Sequence, residues 1–506
     1  MLEQATKKAE KAFKRSIKEL SQKSVMKEVS VIKSISAGTA ILTGLSSVQM
    51  NELVVFKNNV MALVHSLSQD EVGVVFLNSP NALRAGDRAK RTHRVLDVPV
   101  GEELLGRVIT PLGEPLDGKG EILTHQHFPM ERASAPIMQR APVQVPLQTG
   151  IKAIDTFTPI GRGQRELILG DRQTGKTALA LDTILNQADT GVISIYCAIG
   201  QRTSNTAHVI EILKKYDCLK NTVVVVADGE DESGLQYVAP YAATSIGEYF
   251  MEKGHDVLII YDDLTAHARA YRQMSLLLKN PPGREAYPGD IFYIHARLLE
   301  RSTHLKKEAG GGSLTALPIV ATEAGNISAY IPTNIISITD GQIYLSTSLF
   351  RKGIFPAIDT GRSVSRVGGD AQLPAFRSLV GPLKLFYAQF EELEKFEKFG
   401  TQLDEHVEKQ LKRGKAIRKV MQQKEYSPIP VENQIAVLNA ANAGLFDGFS
   451  EDEIEEAQNI VIRVFKEEFP ILIKKILQKK EKISPEEQEN MIQVFKKSLK
   501  VIKHDT

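Results

Sequence analysis

Eight consecutive residues of this sequence have the types and spacing needed to hold a polyphosphate. They are Gly170, Asp171, Arg172, Gln173, Thr174, Gly175, Lys176 and Thr177. The glycines allow backbone N–H groups to turn toward phosphates, Lys176 supplies a positive charge, and the Thr177 hydroxyl is placed to ligate Mg²⁺. A strand over 165–169 and a helix over 178–184 are predicted around this loop, a context that disfavours a chance glycine turn. The pattern predicts a nucleoside triphosphate site.

Two further strand ends carry polar residues that would complete such a site. The apolar run 257–261 ends in Asp262, which is predicted to hold Mg²⁺ through its water shell. The run 192–199 leads into Gln201, at a place where hydrolysis normally needs a carboxylate to activate water. Gln201 is a poor proton acceptor, yet some nucleotidases position water with glutamine, so these residues alone leave catalysis open.

An arginine-bearing loop follows the last predicted strand of the same domain. Arg366 lies in the glycine- and serine-rich segment 359–369. A cation reaching another molecule's phosphates would stabilise charge on a transferring phosphoryl group, as an arginine finger does. The alternative is that Arg366 or Arg362 forms a local ion pair, and spacing does not decide between the two.

Composition excludes several classes of function. The chain has 506 residues, with 63 basic and 61 acidic, and a net charge of +2. That balance gives no overall field to attract nucleic acid or an anionic membrane. Its two cysteines, Cys197 and Cys218, are expected to be free thiols in a reducing compartment. No apolar run is long enough to span a membrane, so association with one is expected only through partners.

Patterning divides the chain into four predicted regions. These are a basic amphipathic arm over 1–27, a β-barrel over 28–98, a nucleotide-binding α/β domain over 99–380 and a helical bundle over 381–506. The barrel has few aromatic residues, which disfavours RNA binding. Apolar runs alternating with helices predict a parallel sheet covered on both faces. Predicted barrel strands are 29–35, 40–42, 53–56, 60–64 and 72–77; sheet strands are 165–169, 192–199, 222–227, 257–261, 317–321 and 335–338; helical stretches are 383–424, 432–443 and 451–503.

Several motifs together resemble the alpha subunit of F-type ATP synthases. The resemblance rests on segments 98–120, 170–177, 271–278, 281–290 and 356–365, and it covers about residues 28–440. The last of these fits a signature shared by that enzyme's two ring subunits. The phosphate loop followed by Gln201 is typical of alpha, because catalytic beta subunits carry glutamate there.

The resemblance implies both a site and an assembly. Residues 170–177, Gln201, Asp262 and Gln423 would bind ATP or ADP, with Thr177 and Asp262 holding Mg²⁺ and no turnover by the chain itself. Arg366 would act in trans on an adjacent beta subunit. The implied partners are beta in an alternating hexamer, a gamma shaft and, through the N-terminal arm, peripheral-stalk subunits. The implied location is the cytoplasmic face of the bacterial inner membrane, held there indirectly by the ion-translocating sector.

Two departures and two alternatives accompany this interpretation. Phe355 stands where the family commonly has arginine beside the base, and Glu425 stands where it commonly has a second glutamine, so base selectivity is left open. One alternative function is a self-contained homohexameric ATPase, such as an export or V-type motor, which a glutamate at position 201 would favour. The other is an RNA translocase, which the balanced charge and the aromatic-poor barrel disfavour.

Overall fold

The chain forms two compact units that meet in sequence after Val95. The computed structural model describes residues 28–397 and 405–502. The predicted N-terminal arm therefore lies outside the described residues. Within the described ranges, no helix combines the length and the apolar character that crossing a membrane requires.

The first unit contains a six-stranded closed barrel, as the short and closely spaced strands predict. Its strands follow the order β1-β2-β5-β4-β3-β6, and the β1–β6 pairing closes the ring. Apolar side chains such as Leu42, Val64 and Phe76 fill its interior without solvent exposure. Closure removes free sheet edges. The strands are β1 Val29–Ser36, β2 Thr39–Thr43, β3 Glu52–Val55, β4 Met61–Leu67, β5 Val72–Phe76 and β6 Arg88–Val95.

The second unit is built on an eight-stranded sheet of order β18-β17-β12-β16-β15-β13-β14-β8. All neighbours are parallel except β17 and β18. Four short strands form two small ribbons beside it: β7 Asp97–Val100 with β9 Gln126–Pro129, and β10 Pro146–Leu147 with β11 Ile160–Gly161. The sheet strands are β8 Val108–Ile109, β12 Leu167–Asp171, β13 Ile193–Gln201, β14 Thr222–Asp228, β15 Asp256–Asp262, β16 Ser313–Thr322, β17 Gly341–Leu345 and β18 Val364–Ser365.

One predicted strand is wrong. Residues 335–338 end a helix, Tyr330–Ile338, and the strand of that region is β17, which begins at Gly341. A short apolar run has no periodicity that separates a buried strand from one face of a helix. Here Ile331, Ile335 and Ile338 are the buried face, at helical spacing.

Helices cover the sheet and then continue as the C-terminal bundle. One core cluster joins sheet residues such as Ile168 to bundle residues such as Phe390 and Ile435, so the helical region packs on the nucleotide-binding domain. The predicted fold class is confirmed. The helices are α1 Lys152–Phe157, α2 Lys176–Leu185, α3 Thr203–Lys215, α4 Ser233–Glu252, α5 Leu264–Leu277, α6 Ile291–Leu299, α7 Tyr330–Ile338, α8 Thr347–Arg351, α9 Pro374–Glu397, α10 Glu405–Met421, α11 Val431–Asn442, α12 Glu453–Glu468, α13 Pro470–Lys479 and α14 Pro485–Ile502.

Candidate functional site

The phosphate loop connects the carboxyl end of β12 to the start of α2, as predicted. Gln173 and Gly175 adopt positive φ angles of 61° and 91°, which fold the loop back over the helix N-terminus. Gly170 lies so close to β17 that a Cβ atom there would stand 2.8 Å from the Leu345 carbonyl oxygen. Arg172 and Gln173 are exposed at the tip of the loop. The backbone N–H groups at this helix start are suited to bind an anion.

Lys176 is buried at the base of that loop. Its ammonium group donates a hydrogen bond to the Asp171 carbonyl oxygen. Burial lowers its pKa, while the negative charges of Asp263, Asp262 and Asp171 act in the opposite direction. A buried cation with a single carbonyl partner gains strongly from an anion, because burial penalises a charge that is not paired.

Asp171 is predicted from the sequence to be one of the nucleotide-binding residues, but its side-chain carboxylate forms hydrogen bonds within the chain. Its carboxylate accepts hydrogen bonds from the hydroxyls of Thr322 and Thr347 and from the N–H of Gly325. Burial opposes its ionisation, but these donors outweigh burial and hold its pKa below the usual range. Asp171 therefore anchors the loop to β16 and α8.

Asp262 gathers three donors at the end of β15. Thr177 Oγ1 lies 2.8 Å from one carboxyl oxygen, and the Tyr196 hydroxyl lies 2.7 Å from the same oxygen. Gln201 Nε2 lies 3.0 Å from the other oxygen. Burial raises the pKa of Asp262, against the two hydroxyl donors and the charge of Lys176. Tyr196 was not predicted, since an inward tyrosine on a buried strand looks like a core residue in sequence.

This arrangement suits Mg²⁺. Thr177 and Asp262 offer a hydroxyl and a carboxylate oxygen within hydrogen-bonding distance of each other, and Mg²⁺ binds oxygen ligands. A divalent cation would also offset the burial of the Asp262 charge. Across residues 28–397 and 405–502, no cluster of three or more His, Cys, Asp or Glu side chains could hold a metal by itself. Two protein oxygens completed by phosphate and water match the usual mode of Mg²⁺ binding.

Gln201, the predicted occupant of the base position, ends β13 and donates a hydrogen bond to Asp262. A neutral amide orients water without removing its proton. The neighbouring carboxylate of Asp263 is also engaged, because it accepts a 2.6 Å hydrogen bond from Ala266 N at the start of α5. The site is therefore equipped to bind a nucleotide and poorly equipped to hydrolyse it.

A pocket opens beside the loop, lined in part by the helix that follows it. Gly175, which precedes α2, and the α2 residues Ala178, Leu179 and Asp182 line one wall, at the spacing of a single helix face. Burial raises the pKa of Asp182 to about 7. The remaining walls are Ile151, Thr174, Leu345, Phe350, Phe355, Pro356, Ala357, Gln423, Lys424 and Glu425. Asp182 was not predicted, because the sequence does not show that it faces a cavity.

Gln423 lines this pocket, yet its amide group is already satisfied by backbone. Its oxygen accepts from Lys152 N at 3.1 Å. Its nitrogen donates to the carbonyl oxygens of Gly150 and Ser427, both at 2.8 Å. Both amide hydrogens are thus used within the chain, so Gln423 shapes the pocket wall and has no free donor for a base.

Arg366 lies at the opposite end of the sheet from the phosphate loop. It follows β18, which runs antiparallel to β17, and its N–H donates to the Asp340 carbonyl just before β17 begins. β17 spans five residues, which separates its two ends by about 13 Å. Arg362 forms the local ion pair with Asp359, at 3.7 Å. Arg366 is exposed, and no ion pair joins its side chain to another residue in the described ranges.

Comparison with known proteins agrees with this geometry. The model of the ATP synthase alpha/beta family, nucleotide-binding domain, matches residues 150–365, and that of the ATP synthase alpha/beta chain, C terminal domain, matches residues 372–498. Both matches lie in the second unit.

Three similar relatives are each named as an alpha subunit of ATP synthase. ATP synthase subunit alpha 1 of Chlorobium luteolum is 60% identical over 432 residues, which cover 85% of this chain and 84% of the relative. ATP synthase subunit alpha 2 of Syntrophus aciditrophicus is 59% identical, covering 85% and 83%. ATP synthase subunit alpha 2 of Albidiferax ferrireducens is 56% identical, covering 94% and 88%. The chain belongs to the ATP synthase alpha/beta family, as one of the nucleotide-binding, non-catalytic alpha subunits of a rotary ATP synthase.

Proposed function

We propose that this chain holds Mg-ATP without turnover and completes the catalytic site of a neighbouring beta subunit with Arg366. The observation that carries the first half is the Gln201 amide, which donates to Asp262 where a base would be needed. Lys176 would hold the outer phosphates, and Thr177 with Asp262 would hold the metal. Bound Mg²⁺ supplies charge neutralisation on the phosphates.

The second half is supported by the position of Arg366. The exposed side chain lies at the sheet end remote from its own phosphate loop, so its charge is of no use to the nucleotide bound there. An arginine supplied by an adjacent subunit stabilises the charge that develops on a transferring phosphoryl group. The geometry suits action on another subunit.

The remaining assignments are part of the same proposal. We expect an alternating hexamer with beta around a gamma shaft, with residues 1–27 contacting the peripheral stalk. We also expect attachment to the cytoplasmic face of the bacterial inner membrane through other subunits. Domain boundaries near 98 and 380 stay predictions of the sequence.

Nucleotide binding by the purified chain tests the first half. The chain should bind Mg-ATP in calorimetry, release negligible phosphate, and lose binding when Lys176→Ala removes the charge at the loop. Robust phosphate release that disappears in Lys176→Ala would refute the non-catalytic assignment.

Turnover of the assembled ring tests the second half. Arg366→Ala should lower multisite ATP hydrolysis by about a thousandfold or more, while Mg-ATP binding to this chain stays unchanged. Arg362→Ala is the matched control, because Arg362 belongs to the same loop and pairs locally with Asp359. Full turnover in the Arg366→Ala ring would refute the finger assignment.

A further inference from the structure

A buried carboxyl group lies beneath the loop that carries Arg366. Glu166 directly precedes β12 and has no solvent exposure. Its Oε2 atom accepts a 2.7 Å hydrogen bond from Gln164 Nε2, while Oε1 has no hydrogen-bond partner among the described residues. Leaving a buried oxygen without a hydrogen bond is unfavourable, so this residue type is not explained by packing alone.

Gln164 connects this carboxyl group to the arginine loop. The same Nε2 atom lies 3.2 Å from Ser365 Oγ. That hydroxyl donates to the Pro159 carbonyl oxygen at 2.8 Å and accepts from Gly368 N at 3.1 Å. The relay Glu166–Gln164–Ser365 thus holds the chain on both sides of Arg366.

The neighbouring strand leaves room for the carboxyl group. At Gly341, the first residue of β17, a Cβ atom would stand 2.5 Å and 2.8 Å from the two Glu166 carboxyl oxygens. It would also stand 2.2 Å from the Val364 carbonyl oxygen on β18. The start of β12, the start of β17 and the end of β18 therefore close around Glu166.

The charge of Arg366 also acts on the Glu166 carboxyl group. Burial raises the pKa of Glu166 well above its usual value; the Gln164 hydrogen bond opposes this, Asp340 adds to it, and the positive charge of Arg366 opposes it. Arg366 is thus near enough to act on the Glu166 carboxyl electrostatically. Asp340 is itself paired with Arg165, at 2.8 Å. Sealed from solvent, Glu166 supports the loop without capturing the guanidinium.

We infer that Glu166 is a positioning residue for Arg366: through Gln164 and Ser365 it fixes the strand end from which the guanidinium reaches a neighbouring subunit. This inference rests on the finger function proposed above. It assigns Glu166 no contact with any nucleotide.

The test is a double-mutant cycle in the ring assembled with its catalytic partner subunits. Glu166→Leu should lower kcat by about tenfold to a hundredfold, the cost of a misplaced catalytic group, with KM unchanged. Ser365→Ala, a smaller deletion in the same relay, should lower kcat in the same direction. Glu166→Gln keeps an acceptor for Gln164 and should retain most of the turnover. In an Arg366→Ala background, Glu166→Leu should cause no further loss, because both changes act through one group.

Controls separate this inference from a structural role and from the finger assignment. Gln342→Ala removes a hydrogen bond to the Arg362 carbonyl on the same loop but outside the relay, and it should leave kcat unchanged. Mg-ATP binding to this chain should also be unchanged in Glu166→Leu. If Glu166→Leu prevents assembly, unchanged kcat in Ser365→Ala overturns the inference. If the ring assembles, a loss of kcat in Glu166→Leu that adds to the loss in Arg366→Ala also overturns it. Full turnover in Arg366→Ala alone would instead remove the proposed finger function.

Discussion

The Gln201 amide can donate a hydrogen bond to Asp262, whereas an ionised glutamate at the same position could not. It donates a hydrogen bond to one oxygen of that buried group, while Thr177 and Tyr196 donate to the other. A glutamate in its place would remove a donor and add a like charge at the same distance. The residue at position 201 thus affects both proton abstraction and the stability of the site.

Gln201→Glu should therefore be destabilising at neutral and alkaline pH. Two adjacent carboxyls raise each other's pKa, so the penalty is present above their ordinary pKa values near 4 and is lost as acid protonates the pair. We expect a loss of about 1–3 kcal/mol at pH 8, a smaller loss at pH 5, and recovery with Mg-ATP. Calorimetric unfolding of both proteins at each pH measures this, and an equal deficit at both pH values would contradict it.

At the scale of elements, sequence patterning predicts the strands that carry chemistry better than the contacts between remote segments. The loop, Gln201 and Asp262 each follow a continuous apolar run, and parallel strands bring such ends to one edge of a sheet. The error at 335–338 arose because a four-residue apolar run has no diagnostic period. The bond of Gln423 to Lys152 N joins residues far apart in sequence, and the antiparallel turn of β18 that carries Arg366 to the other sheet end depends on tertiary pairing.

Lys152 illustrates an interaction between elements that composition does not reveal. It begins α1, is 2% exposed, and its ammonium donates a 2.7 Å hydrogen bond to Gln458 Oε1 on α12. Burial lowers its pKa to about 7, while the charge of Glu455 acts in the opposite direction. The contact between the sheet domain and the helical bundle therefore includes a lysine that resists protonation.

The contribution of Lys152 to the free energy of unfolding should therefore rise with pH between 7 and about 10.5. In that range the lysine keeps its proton in the unfolded state and has released it in the folded state. Lys152→Met abolishes this component, so the melting temperature of the parent chain should increase relative to that of the variant from pH 7 to pH 9. Below pH 7 the difference should become constant. Lys412→Met, at an exposed lysine on α10, is the control. Parallel melting curves of the parent chain and Lys152→Met across pH 7–9 would contradict the assignment.

At the scale of the whole molecule, the pocket beside the phosphate loop is lined by both the sheet domain and the helical bundle. Leu179 comes from the helix after the phosphate loop, Phe355 from the segment after α8, and Gln423 from the segment between α10 and α11 of the helical region. The backbone N–H of Gln423 also donates to the Phe355 carbonyl oxygen, at 2.9 Å. A ligand filling this pocket would contact parts of the sheet domain and the helical bundle at once.

Mg-ATP should therefore slow hydrogen exchange well beyond the phosphate loop. At one hundred times its Kd, a ligand stabilises the bound form by about 2.7 kcal/mol, about a hundredfold in the rate of exchange that requires opening of the site. We expect this protection at residues 170–177 and also at 423–427 and in α10, where the bundle closes the pocket. Lys176→Ala should remove it throughout. Protection confined to the phosphate loop would mean that the pocket wall formed by 423–425 does not contact the nucleotide.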